Sequence, residues 1–442
     1  MPIFYKIHRY TSLFCAVFFI LLCVTGLILL FRMDIADANR TTPMMKEASI
    51  AHSQAWNALE EGQKAVEAAN PGKSVRAVFA VPKDGSLVYR IQDKNSHARV
   101  ATMMRMGGER VAYYPATGMM MKNNYGSDQK YTWVPEVIRY LHIFHTRLVN
   151  TNWGTGALAF VCTVSLLSLL SGYFIYKPSM GRDGFGKVHE FPRGRMWMDI
   201  HKWLGITCGA WAVVLTVSGL SILYFASAYR GYVKDVQADA VSHFENTSED
   251  AASLSMRDAL IAVQQQFPGS FVLSSELPSR SMKAYTFYIT PEREELVDFF
   301  GQPVFVSAGG DGKADIYTEA VPAAVRAGAF GVDLHIHNHN LPLLKYIWAF
   351  WTFLTTVMAV SAVIALWDRK FPSRQKRHPQ GRRPVMKQKK PAVWTMPAVI
   401  SVLTLLGLVL PLMGNAASWG AAAAFIAAAV LSFACWQRER KA

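Results

Sequence analysis

No disulfide framework can be built from this sequence, because its five cysteines (Cys15, Cys23, Cys162, Cys208, Cys435) all fall inside apolar runs and no CxxC pair occurs. They read as small packing residues. Acidic charge is also scarce, with 31 Asp and Glu against 46 Lys and Arg, a net charge of +15. That excess sits in short segments and not along one face of a soluble domain, so no nucleic-acid partner is expected. Neither a Ser-His-Asp arrangement nor a glycine-rich phosphate loop appears in a suitable context. The most informative absence is of charge itself, over five stretches: Thr11 to Phe31, Leu148 to Tyr176, Trp203 to Tyr229, Tyr346 to Trp367 and Pro391 to Gln437. A bilayer core is about 30 Å thick and takes roughly 20 such residues to cross as a helix.

The last stretch is long enough to turn back on itself, and Pro411, Gly414 and Asn415 mark the turn. Six transmembrane helices follow. The first is too long for a signal peptide and has no small-residue cleavage site after it. Basic residues then set the orientation. Lys6 and Arg9, the group Lys177, Arg182, Lys187, Arg193, Arg195 and Lys202, the ten basic residues of 369–390, and Arg438, Arg440 and Lys441 all go to the cytoplasm by the positive-inside rule. Both termini are therefore expected inside, in the inner membrane of a bacterium and in contact with its lipids. The expected spans are 1–32, 136–177, 198–229, 333–368 and, as a pair, 391–437. Cytoplasmic loops take 178–197 and 369–390.

Two polar stretches of similar length, 33–135 and 230–332, are left for the outer side. Each opens with an alanine-rich helical pattern (Ser49 to Ala69; Asp250 to Gln266) and runs into alternating apolar residues (Val75 to Val81; Ala284 to Ile289), the pattern of a small α+β unit. Laying Ile7-His8 on Ile200-His201 brings Cys15 onto Cys208 and Val24-Thr25-Gly26-Leu27 onto Val217-Ser218-Gly219-Leu220. A duplicated unit of helix, outer domain and helix is the reading. The closing helices share Leu141-His142-Ile143 and Leu334-His335-Ile336, whereas matching Pro178 with Pro372 pairs His145 with His339, so which histidines correspond stays open.

Of twelve histidines, seven open one of the first four spans and none lies on the last two. His8 and His201 belong to the inner face; His142, His145, His335, His337 and His339 belong to the outer face. An iron porphyrin held by two imidazoles needs rings projecting from facing helices at one depth. His8 and His201 supply such a pair, and the outer group supplies a second in which His142 and His145, three apart on one helix face, compete. Zinc or copper on His335-x-His337-x-His339 is the rival chemistry. Gly26, Gly154, Gly156, Gly172, Gly205, Gly209 and Gly219 leave room for a flat macrocycle or for close helix packing. Trp203, Trp211, Trp348 and Trp351 are candidates to line it. Arg139, Arg147 and Lys345 flank the outer histidines, where they suit haem propionates or an anionic substrate.

These residues resemble the PepSY-associated transmembrane helix family, which includes iron-regulated inner-membrane proteins and ferric-siderophore reductases. The resemblance covers about residues 1–372. It rests on Ile7-His8-Arg9, on Leu141-His142-Ile143-Phe144-His145 with Leu148, Gly154 and Gly172, on Asp199-Ile200-His201-Lys202-Trp203-Leu204-Gly205, and on Leu334-His335. Val111 to Gly118 is similar to the strand-and-turn ending of a PepSY domain. The resemblance implies a membrane all-α bundle whose first four helices form a duplicated core, with two small α+β PepSY-like periplasmic domains. It also implies haem b, two per chain, with His8, His145, His201 and His335 as iron ligands and His142, His337 and His339 as alternatives. The implied activity is reduction of a periplasmic ferric siderophore, with a cytoplasmic flavin, flavoprotein or quinol as electron donor. Two other classes are a haem-free PepSY regulatory or binding protein and an iron or siderophore transporter, the latter disfavoured by spans without charge at their centres.

Overall fold

A computed structural model describes residues 2–39, 55–80, 85–94, 109–122, 130–151, 153–180, 183–244, 254–279, 282–291, 301–309, 313–336, 341–371, 394–413 and 415–441. In chain order the elements are α1 (Pro2–Leu30), α2 (Arg32–Ala38), α3 (Leu59–Ala69), β1 (Lys73–Ala80), β2 (Leu87–Asp93), β3 (Glu109–Tyr114), β4 (Met119–Lys122), α4 (Trp133–Arg147) and α5 (Gly154–Met180). They continue with α6 (Arg193–Thr207), α7 (Gly209–Phe244), α8 (Met256–Gln266), β5 (Ser270–Glu276), β6 (Tyr285–Pro291), β7 (Gln302–Ala308), β8 (Ala314–Thr318), α9 (Ala323–His335), α10 (Pro342–Lys370), α11 (Thr395–Val409) and α12 (Asn415–Lys441). Two compact units result. One holds residues 1–33, 137–225 and 328–442; the other holds 34–136 and 226–327.

The first unit is a helical bundle. Among its described residues six helical stretches are long and apolar enough to cross a membrane: Ile3–Leu30, Gly154–Tyr176, Gly209–Phe244, Pro342–Lys370, Thr395–Met413 and Ala417–Arg440. Large apolar side chains such as Leu13, Val17, Phe160, Phe353, Val402 and Phe433 point outward and exposed, which suits a lipid solvent. α1 packs on α5 and α10, α6 packs on α10, and α11 pairs with α12. The expected turn in the last apolar run falls at a short 3-10 stretch, Leu410–Met413, that contains Pro411.

Helix ends in this bundle differ from the expected spans where the backbone cannot continue. α4 ends at Arg147 because Leu148 takes a left-handed conformation (φ 59°), so His142 and His145 lie on a separate helix that precedes the span. His335 closes α9, and Pro342, suited to a first helical turn, starts α10 afresh. His201 lies on α6, which stops at Cys208 before the apolar α7 begins. Three of the four main candidate ligands thus sit on a short helix ahead of a break.

The second unit is built on one sheet. Its eight strands run β4-β3-β2-β1-β5-β6-β7-β8, every neighbour antiparallel. The two polar stretches, expected as separate small domains, therefore share a sheet. They join through β1 and β5, with Ala77 opposite Glu276, Val78 opposite Ser275 and Phe79 opposite Ser274. A four-stranded half would leave β1 or β5 as an open row of amide and carbonyl groups, and pairing the two removes both edges. α3 and α8 contribute Leu59, Val66, Leu260 and Val263 to a core with Val78, Leu87, Tyr89, Phe287 and Val304. Ser255 caps α8 by accepting from the Asp258 amide at 3.1 Å.

Candidate functional site: two imidazole pairs

Four histidine rings of the bundle meet in two pairs. His8 of α1 faces His201 of α6 with ring centroids 6.2 Å apart and planes at 45°. His145 of α4 faces His335 of α9 with centroids 6.1 Å apart, again at 45°. The two arrangements agree although they are built from different helices.

Each ring has one nitrogen already committed. His8 Nδ1 donates to the Ser168 carbonyl (2.9 Å), His201 Nδ1 to the Met358 carbonyl (2.9 Å) and His335 Nδ1 to the Leu215 carbonyl (3.0 Å). A carbonyl only accepts, so Nδ1 carries the proton in all three. His145 Nδ1 lies 3.0 Å from Thr25 Oγ1, whose own hydrogen goes to the Leu21 carbonyl at 2.8 Å. Here too Nδ1 is the donor. Every ring is therefore the tautomer whose Nε2 keeps a free lone pair, the form in which a histidine ligates a metal while its other nitrogen is held by a backbone oxygen.

Glycines set the depth of three rings. A Cβ at Gly172 would lie 3.3 Å from His8 Cε1, one at Gly26 3.0 Å from His145 Cε1, and one at Gly219 3.1 Å from His335 Cε1. These residues seat imidazoles against bare backbone, a more specific use than room for a macrocycle. Gly209 instead abuts the Tyr173 hydroxyl, and Gly156 meets nothing within 4 Å.

The geometry brings together one pair from the five outer-face candidates. His145 meets His335, and His142 is exposed one turn earlier on α4, with no facing imidazole among the described residues. Ser168 lies as far beyond His145 as Met358 lies beyond His335, and the carbonyls of these two residues hold His8 and His201. Beneath them, Ser171 Oγ donates to Ser168 O and Ser361 Oγ donates to Met358 O. That shared Ser at a fixed distance after each outer histidine was the readable signal; apolar matching and the Leu-His start obscured it. His337 and His339 lie outside the described residues.

Of the flanking cations, Arg139 stacks on Tyr140 (4.4 Å to the ring centroid) and Lys345 on Phe31 (5.0 Å), while Arg147 and the unanticipated Arg32 act electrostatically on His142. The tryptophans pack against the last helix, α12. Trp211, Trp348 and Trp351 pack around Phe425 of α12, and Trp203 stacks on Trp436 and donates to Ser432 Oγ. By contrast with that apolar packing, the α6 end of the bundle holds a polar network missed in the sequence. Asp199, buried, accepts from His189 Nδ1 (2.7 Å) and Lys202 Nζ (3.1 Å).

The donor set can be tested against an iron porphyrin. An imidazole nitrogen about 2 Å from a metal puts its ring centroid about 3 Å away, so two ligands on opposite sides of one ion have centroids about 6 Å apart. Both pairs meet that spacing. Among the described residues no three or more His, Cys, Asp or Glu side chains gather in a group able to hold a metal ion. A gathering in twos fits an iron porphyrin, which would bring four nitrogens of its own and would be held by His8 with His201 or by His145 with His335.

Six apolar helices and a sheet unit in one chain define an integral membrane protein with folded polar segments between its spans. Within that class, the chain belongs to the family described as the PepSY-associated TM region, whose model matches residues 5–370. The match ends with α10 and leaves α11 and α12 beyond it. No curated protein matches the chain closely enough to count as a relative.

Proposed function

We propose that the chain is a two-haem electron-transfer protein of a bacterial inner membrane that reduces ferric siderophore on the periplasmic side, with its termini and the His8–His201 end in the cytoplasm. The observation that carries this reading is the pair of matched imidazole clusters, 6.2 and 6.1 Å between centroids, each ring with Nδ1 spent and Nε2 free. His8 and His201 would hold one haem b, and His145 and His335 the other. Bound haem would supply reversible one-electron iron chemistry.

The rest belongs to the chain. The carbonyls of Ser168, Met358 and Leu215 and the hydroxyl of Thr25 fix the ring orientations and raise the basicity of each Nε2. Gly172, Gly26 and Gly219 admit the rings to the level of the helix backbone, and the surrounding apolar helices keep water out, which tunes the potential of any metal held there. His145 rests on Gly26, about five turns of α1 beyond His8, which at 1.5 Å per residue is about 27 Å, close to the depth of a bilayer core. Two sites so placed serve transfer across the membrane. The matching supports of the two halves favour duplication of one helix–domain–helix unit.

The test is absorption spectroscopy of protein purified after haem-replete expression. Two haems per chain by pyridine haemochrome are expected, with reoxidation of the reduced protein by a ferric siderophore. Absence of a Soret band would leave the haem-free regulatory class standing in its place, and a reduced protein that no ferric chelate reoxidises would remove the substrate assignment.

A further inference from the structure

His201 stands on a short helix that is cut off from its span. α6 stops at Cys208 and the apolar α7 begins at Gly209, whereas His8, the facing ring, is carried by α1 without interruption from Pro2 to Leu30. α12, which lies beyond the family match of residues 5–370, packs on both sides of that break. On the α6 side Trp203 stacks on Trp436, with centroids 5.9 Å apart and planes at 13°. On the α7 side Trp211 meets Phe425 edge-on at 5.6 Å. Ser432 lies two turns after Phe425 and one turn before Trp436, so the three share one face of α12.

Between the two aromatic contacts the side chains close a circuit of hydrogen bonds. Trp203 Nε1 donates to Ser432 Oγ (2.8 Å), and Thr207 Oγ1 donates to the Trp203 carbonyl (2.9 Å). With the threonine hydrogen so spent, the 2.6 Å contact between the two hydroxyls has Ser432 as donor and Thr207 as acceptor. Ser432 and Thr207 are both buried. No water competes for such a circuit, and removing one member leaves a buried donor unpaired. At about 100° per residue, Trp203 lies roughly 200° round α6 from His201. Anchoring the side of the helix opposite the imidazole fixes its rotation, and with it the direction in which the ring points.

We propose that α12 is a splint for the inner imidazole pair and that Ser432 is its positioning residue, aiming His201 at His8 by closing the circuit with Trp203 and Thr207. The consequence for a bound iron rests on the two-haem reading given above; the hold on α6 rests on the contacts alone. The end of α12 adds to that hold, since the Glu439 carbonyl accepts from Lys187 Nζ (2.6 Å) and His189, two residues on, donates to Asp199 of α6 (2.7 Å). His8 needs no such support, because α1 runs unbroken through Cys15, the residue that aligns with Cys208. A helix added after the second half is thus matched to a break that only the second inward helix has.

The experiment compares Ser432→Ala and Ser432→Thr with the unaltered full-length protein in detergent. Two readouts are taken: hydrogen–deuterium exchange of the α6 amides, and ferric electron paramagnetic resonance, whose low-spin signals report the angle between paired axial imidazoles. Ser432→Ala is expected to speed exchange over 201–207 by about tenfold, the effect of one unpaired buried donor, and to leave α1 and α5 unchanged. The low-spin signal of the inner pair, assigned by its loss in His201→Ala, should shift while the outer one stays. Ser432→Thr keeps a hydroxyl and should restore both readouts. Unchanged exchange, faster exchange spread evenly through the bundle, movement of both signals together, or no rescue by threonine overturns the proposal. Exchange is read without haem, so the two readings fail separately. Loosening confined to α6 in a protein without a Soret band removes the conduit and keeps the splint, and a Soret band with an inner signal that Ser432→Ala leaves in place removes the splint.

Discussion

The bundle and the sheet unit both bury titratable side chains, and they use them in opposite ways. In the sheet unit two tyrosines are spent on near neighbours and one carboxyl is kept neutral by burial. Tyr89 donates to the Leu59 carbonyl at 2.7 Å, Tyr113 donates to Glu61 Oε1 at 2.8 Å, and burial pushes the Glu276 carboxyl up to about 7, with Arg90 pulling it partly back. In the bundle four imidazoles each spend Nδ1 on a backbone or hydroxyl oxygen and sit with their ring centroids about 6 Å from a partner ring. A lone pair held unspent in an apolar setting costs stability and gains nothing unless something binds there. The contrast teaches where to look for chemistry: the tyrosines of the sheet spend their hydroxyls on near neighbours, whereas the imidazoles of the bundle are gathered in pairs.

The strongest way to break this contrast is to remove one ring from each pair. His201→Ala is expected to lower the haem content from two per chain to one, and His335→Ala to do the same at the other site, each with the loss of a different component of the reduced absorption spectrum. Loss of both haems from either variant would show a single coupled site. A smaller effect should follow Gly219→Leu, because a Cβ there already sits 3.1 Å from His335 and a larger side chain must push the ring away. Haem retention at the outer pair should fall by about ten- to a hundredfold, the usual cost of disturbing support for a ligand. Gly156→Ala, with nothing within 4 Å, is the matched control and should change nothing.

Glu276 sharpens the other side of the comparison. Its carboxyl keeps a proton to about pH 7 when folded, whereas the ordinary value is 4.5. Between those limits the folded chain holds more protons than the unfolded one, so stability is fully present below about pH 4.5, falls as pH rises to about 7 and is level above that. The total change is at most about 3 kcal/mol. Thermal unfolding followed across that window should show the slope, Glu276→Gln should flatten it, and haem content should be untouched by the substitution. A loss of haem on replacing Glu276 would mean that the sheet's buried charge is not a closed matter.

Much of this was legible in the sequence, and the part that was not has physical reasons. Runs such as Trp203 to Tyr229 announced spans because lipid tolerates no charge, and His8 and His201 stood out by their shared distance to Gly26 and Gly219. The breaks at Leu148 and Cys208 were hidden, since a left-handed leucine and a helix interruption among apolar residues leave no mark in composition. The single sheet was hidden too: alternation reveals strands but says nothing of which edges pair, and β1 and β5 are far apart in the chain. The supports of His8 and His201 were hidden as well, because the backbone carbonyls of Ser168 and Met358 do the holding and only Ser171 and Ser361, three residues on, are alike. A backbone acceptor can be supplied by any residue type, so Ser on one side and Met on the other carried no visible likeness.

The finest distinction lies within the outer pair, where the supports are not equivalent. His335 donates to a main-chain carbonyl, Leu215 O at 3.0 Å, with Ser218 Oγ a more distant neighbour at 3.3 Å. His145 relies on the Thr25 hydroxyl at 3.0 Å. Ser218→Ala therefore removes a group that His335 can do without, and haem affinity at that site should stay within twofold. Thr25→Val keeps the shape and takes away that acceptor. The Nδ1 proton is then left without its hydroxyl acceptor, a cost of about 1 kcal/mol or roughly fivefold in haem retention. A measured effect larger for Ser218→Ala than for Thr25→Val would reverse the assignment of which ring depends on a side chain and which on the backbone, and with it the account of how the outer pair is held.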